Sequence, residues 1–151
     1  MIKTPLRHIY RFEYIVVRFF PMVFNRIYYL GYRKKTDSII PFKGIEQKGE
    51  FFIYSDIARM DTHRPFYVLF KKWGYSGNGY CWEGHIIQII RQEDKALLKL
   101  LEFESETEKF WVKADSSQSQ SRFMDLMNPI FSNHKKLEVF IKTANPLAID
   151  D

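Results

Sequence analysis

The sequence predicts an α+β domain: a small mixed sheet packed by two to four helices, preceded by an aromatic and basic helical extension. Three observations carry this. Short runs rich in β-branched and aromatic residues stand apart from longer segments whose apolar residues recur at helical spacing. The strand and helix pieces are segregated, not strictly alternating as a parallel α/β fold requires. The composition, 46% apolar and 27% charged over 151 residues, is that of a globular protein.

Three segments follow from this: an N-terminal extension at 1–35, a connection at 36–49 and the domain proper at 50–151. The connection is punctuated by Pro41, Gly44 and Gly49. Glu50 to Ile57 (EFFIYSDI) is rich in β-formers and predicts a strand. Asp61 to Pro65 (DTHRP) predicts a turn, and the continuous apolar run Phe66 to Phe70 (FYVLF) a buried strand. Trp73 to Gly84 (WGYSGNGYCWEG) then gathers four of the seven glycines and two of the three tryptophans. Beyond it, Trp82, Ile86, Ile89 and Ile90 recur at i, i+4, i+7 and i+8, one face of a helix running to about Gln92.

Lys95 to Leu101 closes a helical pair or opens a strand, and Glu102 to Glu108 (EFESETE) is an acidic turn. Phe110 to Ala114 is a strand candidate. Asp115, Ser116 or Ser117 can cap a helix whose apolar positions are Phe123, Met127 and Ile130. Pro129 interrupts it near its end. Asn133 can cap a last helix with Leu137, Phe140 and Ile141 inward.

The formal charge of +5 is unevenly placed. Residues 1–35 carry eight bases against one acid, while residues 36–151 carry 15 bases against 17 acids. The basic character belongs to the extension, and the body is mildly acidic. The extension also holds nine aromatics, among them Tyr10, Phe19, Phe24 and Tyr32. Its longest uncharged run, Phe19 to Asn25, is far short of the ~20 residues that span a bilayer. Arg18 interrupts it as a signal peptide. On a helix, Arg7, Arg11 and Arg18 fall within about 40° of one another, and Pro21 ends or kinks that helix. Three dispositions fit: packing on the protein's own core with the arginines outward, resting on an anionic membrane surface, or a true start downstream at Met22.

Catalytic signatures are weak. The four glycines are not followed by Gly-Lys-Ser/Thr and do not form G-x-G-x-x-G, so no phosphate loop is indicated. Gly77, Asn78 and Gly79 instead supply residues that tolerate positive φ at a strand-to-helix turn, with Tyr80 and Trp82 pinning the loop to the core. Cys81 and His85 share a helical face, as a thiol–imidazole pair would, although a small buried thiol is the commoner situation. Glu83 points elsewhere. Asp61 and His63 offer two metal ligands where a site needs three or four. The lone Cys81 excludes a disulfide framework and a multi-cysteine zinc site. No cofactor, metal or enzymatic activity is expected.

Glu102, Glu104, Glu106 and Glu108 alternate with Phe103, Ser105 and Thr107. If extended, these carboxylates share one face at about 6.6–7 Å spacing. That resembles the phosphate interval of an extended nucleic-acid strand, so the row is a candidate toxin-binding decoy for a basic active site. The blander reading is a solvated turn.

Gly77-Asn78-Gly79-Tyr80, Trp82-Glu83, the apolar helix Ile86 to Ile90, Phe103 to Glu106 (FESE), Phe110-Trp111-Val112 and the helix from Ser121 to Phe131 together resemble the immunity protein 51 family of bacterial polymorphic toxin systems. The likeness covers about residues 50–144. The family's Phe-Asp-Pro-Glu-like turn is here Phe103-Glu104-Ser105-Glu106, which keeps the Phe and the last acid and lacks the Asp-Pro. The resemblance implies a small cytoplasmic inhibitor used in competition between bacteria, which binds a cognate toxin domain and blocks its active site or substrate entry. It carries over no catalytic residue. The alternative is a nucleic-acid- or membrane-surface-binding module driven by residues 1–35, and an enzyme built on Cys81 and His85 ranks third. Nucleic acid is not the expected partner of the acidic body.

Overall fold

The computed structural model describes residues 40–149. The expectations for the extension, including the Arg7, Arg11 and Arg18 face and the break at Pro21, lie outside the described residues.

Strand β1 (Lys43–Gln47) turns directly into β2 (Glu50–Asp56). The turn residues Lys48 and Gly49 both have positive φ, 54° and 79°, the conformation that matches the twist of a two-residue hairpin. The segment expected to be a connection is therefore the edge of the sheet. Just ahead of it, Phe42 is buried edge-on against Trp82, Phe110, Phe123 and Phe131, with ring centroids 4.8–6.0 Å apart.

Helix α1 (Met60–Lys72) replaces both the predicted turn and the predicted strand at 61–70. Its buried residues His63, Phe66 and Phe70 lie at i, i+3 and i+7, with Leu69 beside them. Tyr67 faces outward and Lys71 and Lys72 close the last turn. Pro65 sits inside the helix, where its missing N–H removes one hydrogen bond. Burial of two phenylalanines and a leucine outweighs that loss, since each is worth about 1.5–3 kcal/mol.

Helix α2 (Gly79–Glu93) buries Trp82, Ile86, Ile89 and Ile90 as expected. A short 3-10 turn, Lys95–Leu100, leads into β3 (Leu101–Phe103), and β4 (Lys109–Ala114) follows the acidic hairpin. Helix α3 (Ser117–Phe131) starts at Ser116, whose hydroxyl accepts from the Ser119 N–H, and continues through Pro129 to Phe131. Helix α4 (His134–Thr143) starts at Asn133, whose side chain accepts from the N–H groups of Lys135 and Lys136. Leu137 and Ile141 are buried there and Phe140 is half-buried.

The fold class is α+β, and the four strands lie in the order β1-β2-β4-β3, antiparallel throughout rather than mixed. Alternation along each strand gives the sheet two unlike faces. The inner face carries Ile53, Ser55, Phe110, Val112 and Ala114, all buried. The ring of Phe123 from α3 stacks on Phe110, with centroids 5.9 Å apart and planes 18° apart. Gln120 of α3 donates from Nε2 to the carbonyls of Ile45 (3.0 Å) and Phe52 (2.7 Å), tying the helix to the edge hairpin. The outer face is different in kind.

Candidate functional site

The glycine-rich segment and the acidic hairpin meet at the N-terminus of α2. Gly77 has φ 73°, the left-handed conformation expected of it. Asn78 does not: its φ is −75°, and it acts as the N-cap, its Oδ1 accepting from the Cys81 N–H at 2.8 Å. Gly79 serves a third purpose. Its N–H donates to the Thr107 carbonyl at 2.9 Å, and an added Cβ would stand 1.8 Å from the Glu106 carbonyl oxygen and 2.3 Å from that of Lys109. The hairpin backbone occupies the space of a side chain.

A second tie runs the same way. Glu83 Oε2 accepts from the Ser105 N–H at 3.2 Å, and Ser105 Oγ accepts from the Trp111 N–H at 3.3 Å. Trp82 is fully buried amid Phe42, His63, Phe66, Phe70 and Phe131. Tyr80 is a correction: it is 41% exposed and does not pin the loop to the core. As the second residue of α2 it lies off the face that carries Trp82 and Ile86.

The four glutamates do not form one row. Glu102 pairs across the sheet with Lys113, the Glu104 N–H bonds the Trp111 carbonyl, and Glu106 exchanges both backbone bonds with Lys109. These three share the outer face. Glu108 sits in the two-residue turn with Thr107, and its carbonyl accepts from the N–H groups of Ile57 and Ala58. Glu106 also forms an exposed ion pair with Lys109 at 3.5 Å.

Asp61 and His63, the two potential metal ligands, are placed in different surroundings. Asp61 is exposed and bonds Arg59 at 3.0 Å, which lowers its carboxyl below the usual value. His63, in the first turns of α1 and not in a loop, is buried. Its Nε2 lies 2.7 Å from Ser55 Oγ and its Nδ1 2.9 Å from Thr62 Oγ1. Thr62 Oγ1 donates to the Arg59 carbonyl, so Nδ1 carries the ring proton and Nε2 accepts from Ser55. Burial pushes the His63 pKa down, against smaller opposing effects of the Arg59 carbonyl, Asp56 and Asp61. Among the described residues no group of three or more His, Cys, Asp or Glu side chains is placed to hold a metal ion. Cys81 and His85 are both buried in α2, with His85 packed against Phe70 and Tyr75 at 5.1 and 4.5 Å.

The outer face of the sheet is the feature that sequence reasoning missed. Register places Ile45, Phe52, Tyr54 and Trp111 together on it, across β1, β2 and β4. Trp111 lies between Phe52 (5.4 Å) and Tyr54 (5.7 Å), and Lys43 Nζ stands 5.8 Å over the Tyr54 ring. Ile45, Phe52, Tyr54 and Trp111 are half-buried, and Lys43 is exposed. Glu50 bonds Lys113 at 2.5 Å, which raises the Lys113 pKa, with smaller contributions from Glu102 and Glu104. Alternation is the signal that could have found this face. In EFFIYSD it is masked because Phe51 and Ile53 are as apolar as Phe52 and Tyr54.

No protein-family model, no curated protein and no solved structure matches the chain. Among the described residues no helix is long and apolar enough to cross a membrane.

Proposed function

We propose that the chain is an immunity protein of a bacterial toxin system, which binds a cognate toxin domain in the cytoplasm and occludes its active site or substrate entry. One observation carries this reading. The two sequence blocks that bear the family resemblance, Gly77-Asn78-Gly79 with Trp82-Glu83 and Phe103 to Glu106, are locked into one unit by the Gly79–Thr107 and Glu83–Ser105 bonds. Residues that far apart gain nothing from a shared motif unless they build a shared structure, and here that structure displays carboxylates on a rigid hairpin. The partner is a protein, and no cofactor is involved.

The test is to sequence the neighbouring gene and co-express the chain with the C-terminal domain of the large secreted protein that this reading expects there. The expected result is a complex and survival of cells that the toxin domain alone kills. Failure both to bind and to rescue overturns the reading. The uneven charge favours a second reading, a nucleic-acid- or membrane-surface-binding module acting through residues 1–35. It predicts strongly salt-dependent binding to polyanions or anionic vesicles, abolished by Arg7→Gln, Arg11→Gln and Arg18→Gln in combination.

A further inference from the structure

The outer sheet face combines two properties that rarely coincide on a solvated surface. Its centre is aromatic: Phe52, Trp111 and Tyr54 form a contiguous row with Ile45 beside it. Tryptophan and tyrosine are the side chains that most often dominate the binding energy of protein interfaces. Its border is charged and acidic. By register and alternation, the face carries the carboxylates of Glu50, Asp56, Glu102, Glu104 and Glu106 against the ammonium groups of Lys43, Lys109 and Lys113.

The lysines are already engaged: Lys113 with Glu50, Lys109 with Glu106, and Lys43 over Tyr54. Among the described residues Asp56, Glu102 and Glu104 make no salt bridge, and two of these three carboxylates lie along the sheet edge formed by β3 and the residues that follow it. Strand rise sets Glu102, Glu104 and Glu106 about 6.8 Å apart, close to the distance between successive phosphates of an extended single strand.

Resting on the immunity reading above, we propose that this face is the toxin-binding surface. The surface it fits is a basic cleft in the toxin that otherwise holds a polyanionic substrate such as a nucleic acid. The aromatic row seats against the cleft's wall, and the carboxylates of Glu102, Glu104 and Glu106 take the place of substrate phosphates. A partner of like charge is repelled from the same face.

The test uses the full chain and the neighbouring toxin domain with its catalytic centre inactivated. Affinity is measured at low and high salt for the unaltered chain, for Glu102→Gln/Glu104→Gln/Glu106→Gln and for Trp111→Ala. Lys135→Gln/Lys136→Gln, on exposed positions of α4, is the control, and circular dichroism checks each fold. The neutral glutamate variants spare the hairpin the like-charge clash that lysines there would create with Lys109 and Lys113. The expected result is a loss of about 30-fold or more for the triple variant and about 10-fold or more for Trp111→Ala, with the control unchanged. Binding weakens as salt rises, and an oligothymidylate single strand competes with the chain for the toxin.

Full affinity and full protection by both variants overturn the proposal while leaving the immunity reading intact. So does loss of binding only on replacing Arg7, Arg11 and Arg18, or a self-associating chain whose dimer, and not its toxin complex, dissolves with the variants. Lack of competition by the single strand overturns the polyanion cleft. An unaltered chain that neither binds nor protects overturns both readings together.

Discussion

A β-carbon on Gly79 would stand 1.8 Å from the carbonyl oxygen of Glu106, well inside contact distance. The obstacle is backbone, not the end of a flexible side chain, so neither helix α2 nor the acidic hairpin can yield alone. Gly79→Ala is therefore expected to destabilise the domain by about 3 kcal/mol or more, lowering the melting temperature by about 10 °C. Gly74→Ala is the contrast. Gly74 has φ 87° with open space around it, so it incurs only backbone strain of about 1–2 kcal/mol. Thermal unfolding of the two variants side by side checks the argument, and equal losses would contradict it.

Asn78 closes the same junction from the other side. Its Oδ1 accepts from the Cys81 N–H, one of the donors that the first turn of α2 leaves without a helical partner. Asn78→Ala removes that acceptor and is expected to cost about 1 kcal/mol. Asn78→Asp keeps the acceptor and adds a negative charge at the helix N-terminus, so it should hold stability at neutral pH. Urea unfolding midpoints separate the two, because Ala and Asp would fall together if the cap made no contribution.

Where the sequence was legible, the periodicity was long and the caps were chemically plain. Trp82, Ile86, Ile89 and Ile90 marked α2, and Phe123, Met127 and Ile130 marked α3. Asn133 marked the start of α4, and Asp115, Ser116 and Ser117 marked that of α3, where Ser116 is the cap. Helix α1 was hidden by two local signals. Pro65 and its neighbours resemble a turn, and FYVLF is too short and too uniformly apolar for its period to show. Counting His63 as a core residue restores the helical spacing, and only tertiary burial reveals that it is one. The candidate site was half legible. The acidic row was visible, but its pairing partners Lys109 and Lys113 and the aromatic row beside it depend on strand register, which is a property of the assembled sheet.

Strand β1 was missed because its turn lacks the usual dipeptide. Lys48 adopts φ 54°, a conformation that asparagine and glycine accept more readily than lysine. Lys48→Asn is expected to stabilise the domain by about 0.5–1 kcal/mol by relieving this strain. Gly49→Ala, at φ 79°, is expected to destabilise it by about 1–2 kcal/mol. Shifts of opposite sign in the urea midpoint, with unchanged slope, check both. A neutral Lys48→Asn would show that the hairpin is held by the Gln120 bonds to Ile45 and Phe52 and not by its turn.

His63 makes stability depend on pH, and the direction follows from its surroundings. The ring is buried and neutral, with Nε2 accepting from Ser55 and Nδ1 donating to Thr62. Burial sets its folded pKa below the ordinary 6.5, so between those two values the unfolded chain binds more protons than the folded one. The contribution of His63 is complete above pH 6.5 and is lost as the pH falls from there toward the depressed folded value. Protonation also puts a hydrogen on Nε2, where the Ser55 hydroxyl must then turn to accept. His63→Gln should flatten the decline in stability between pH 6.5 and 5, while lowering stability at pH 8 through poorer packing against Phe66 and Trp82. Ser55→Ala should cost about 1–3 kcal/mol at pH 8 by leaving the buried Nε2 acceptor without its donor, and should keep a slope, because burial and not this bond depresses the pKa. Unfolding free energies of the three proteins across pH 5–8 provide the check, and parallel curves for His63→Gln and the unaltered chain would assign the acid sensitivity to other groups.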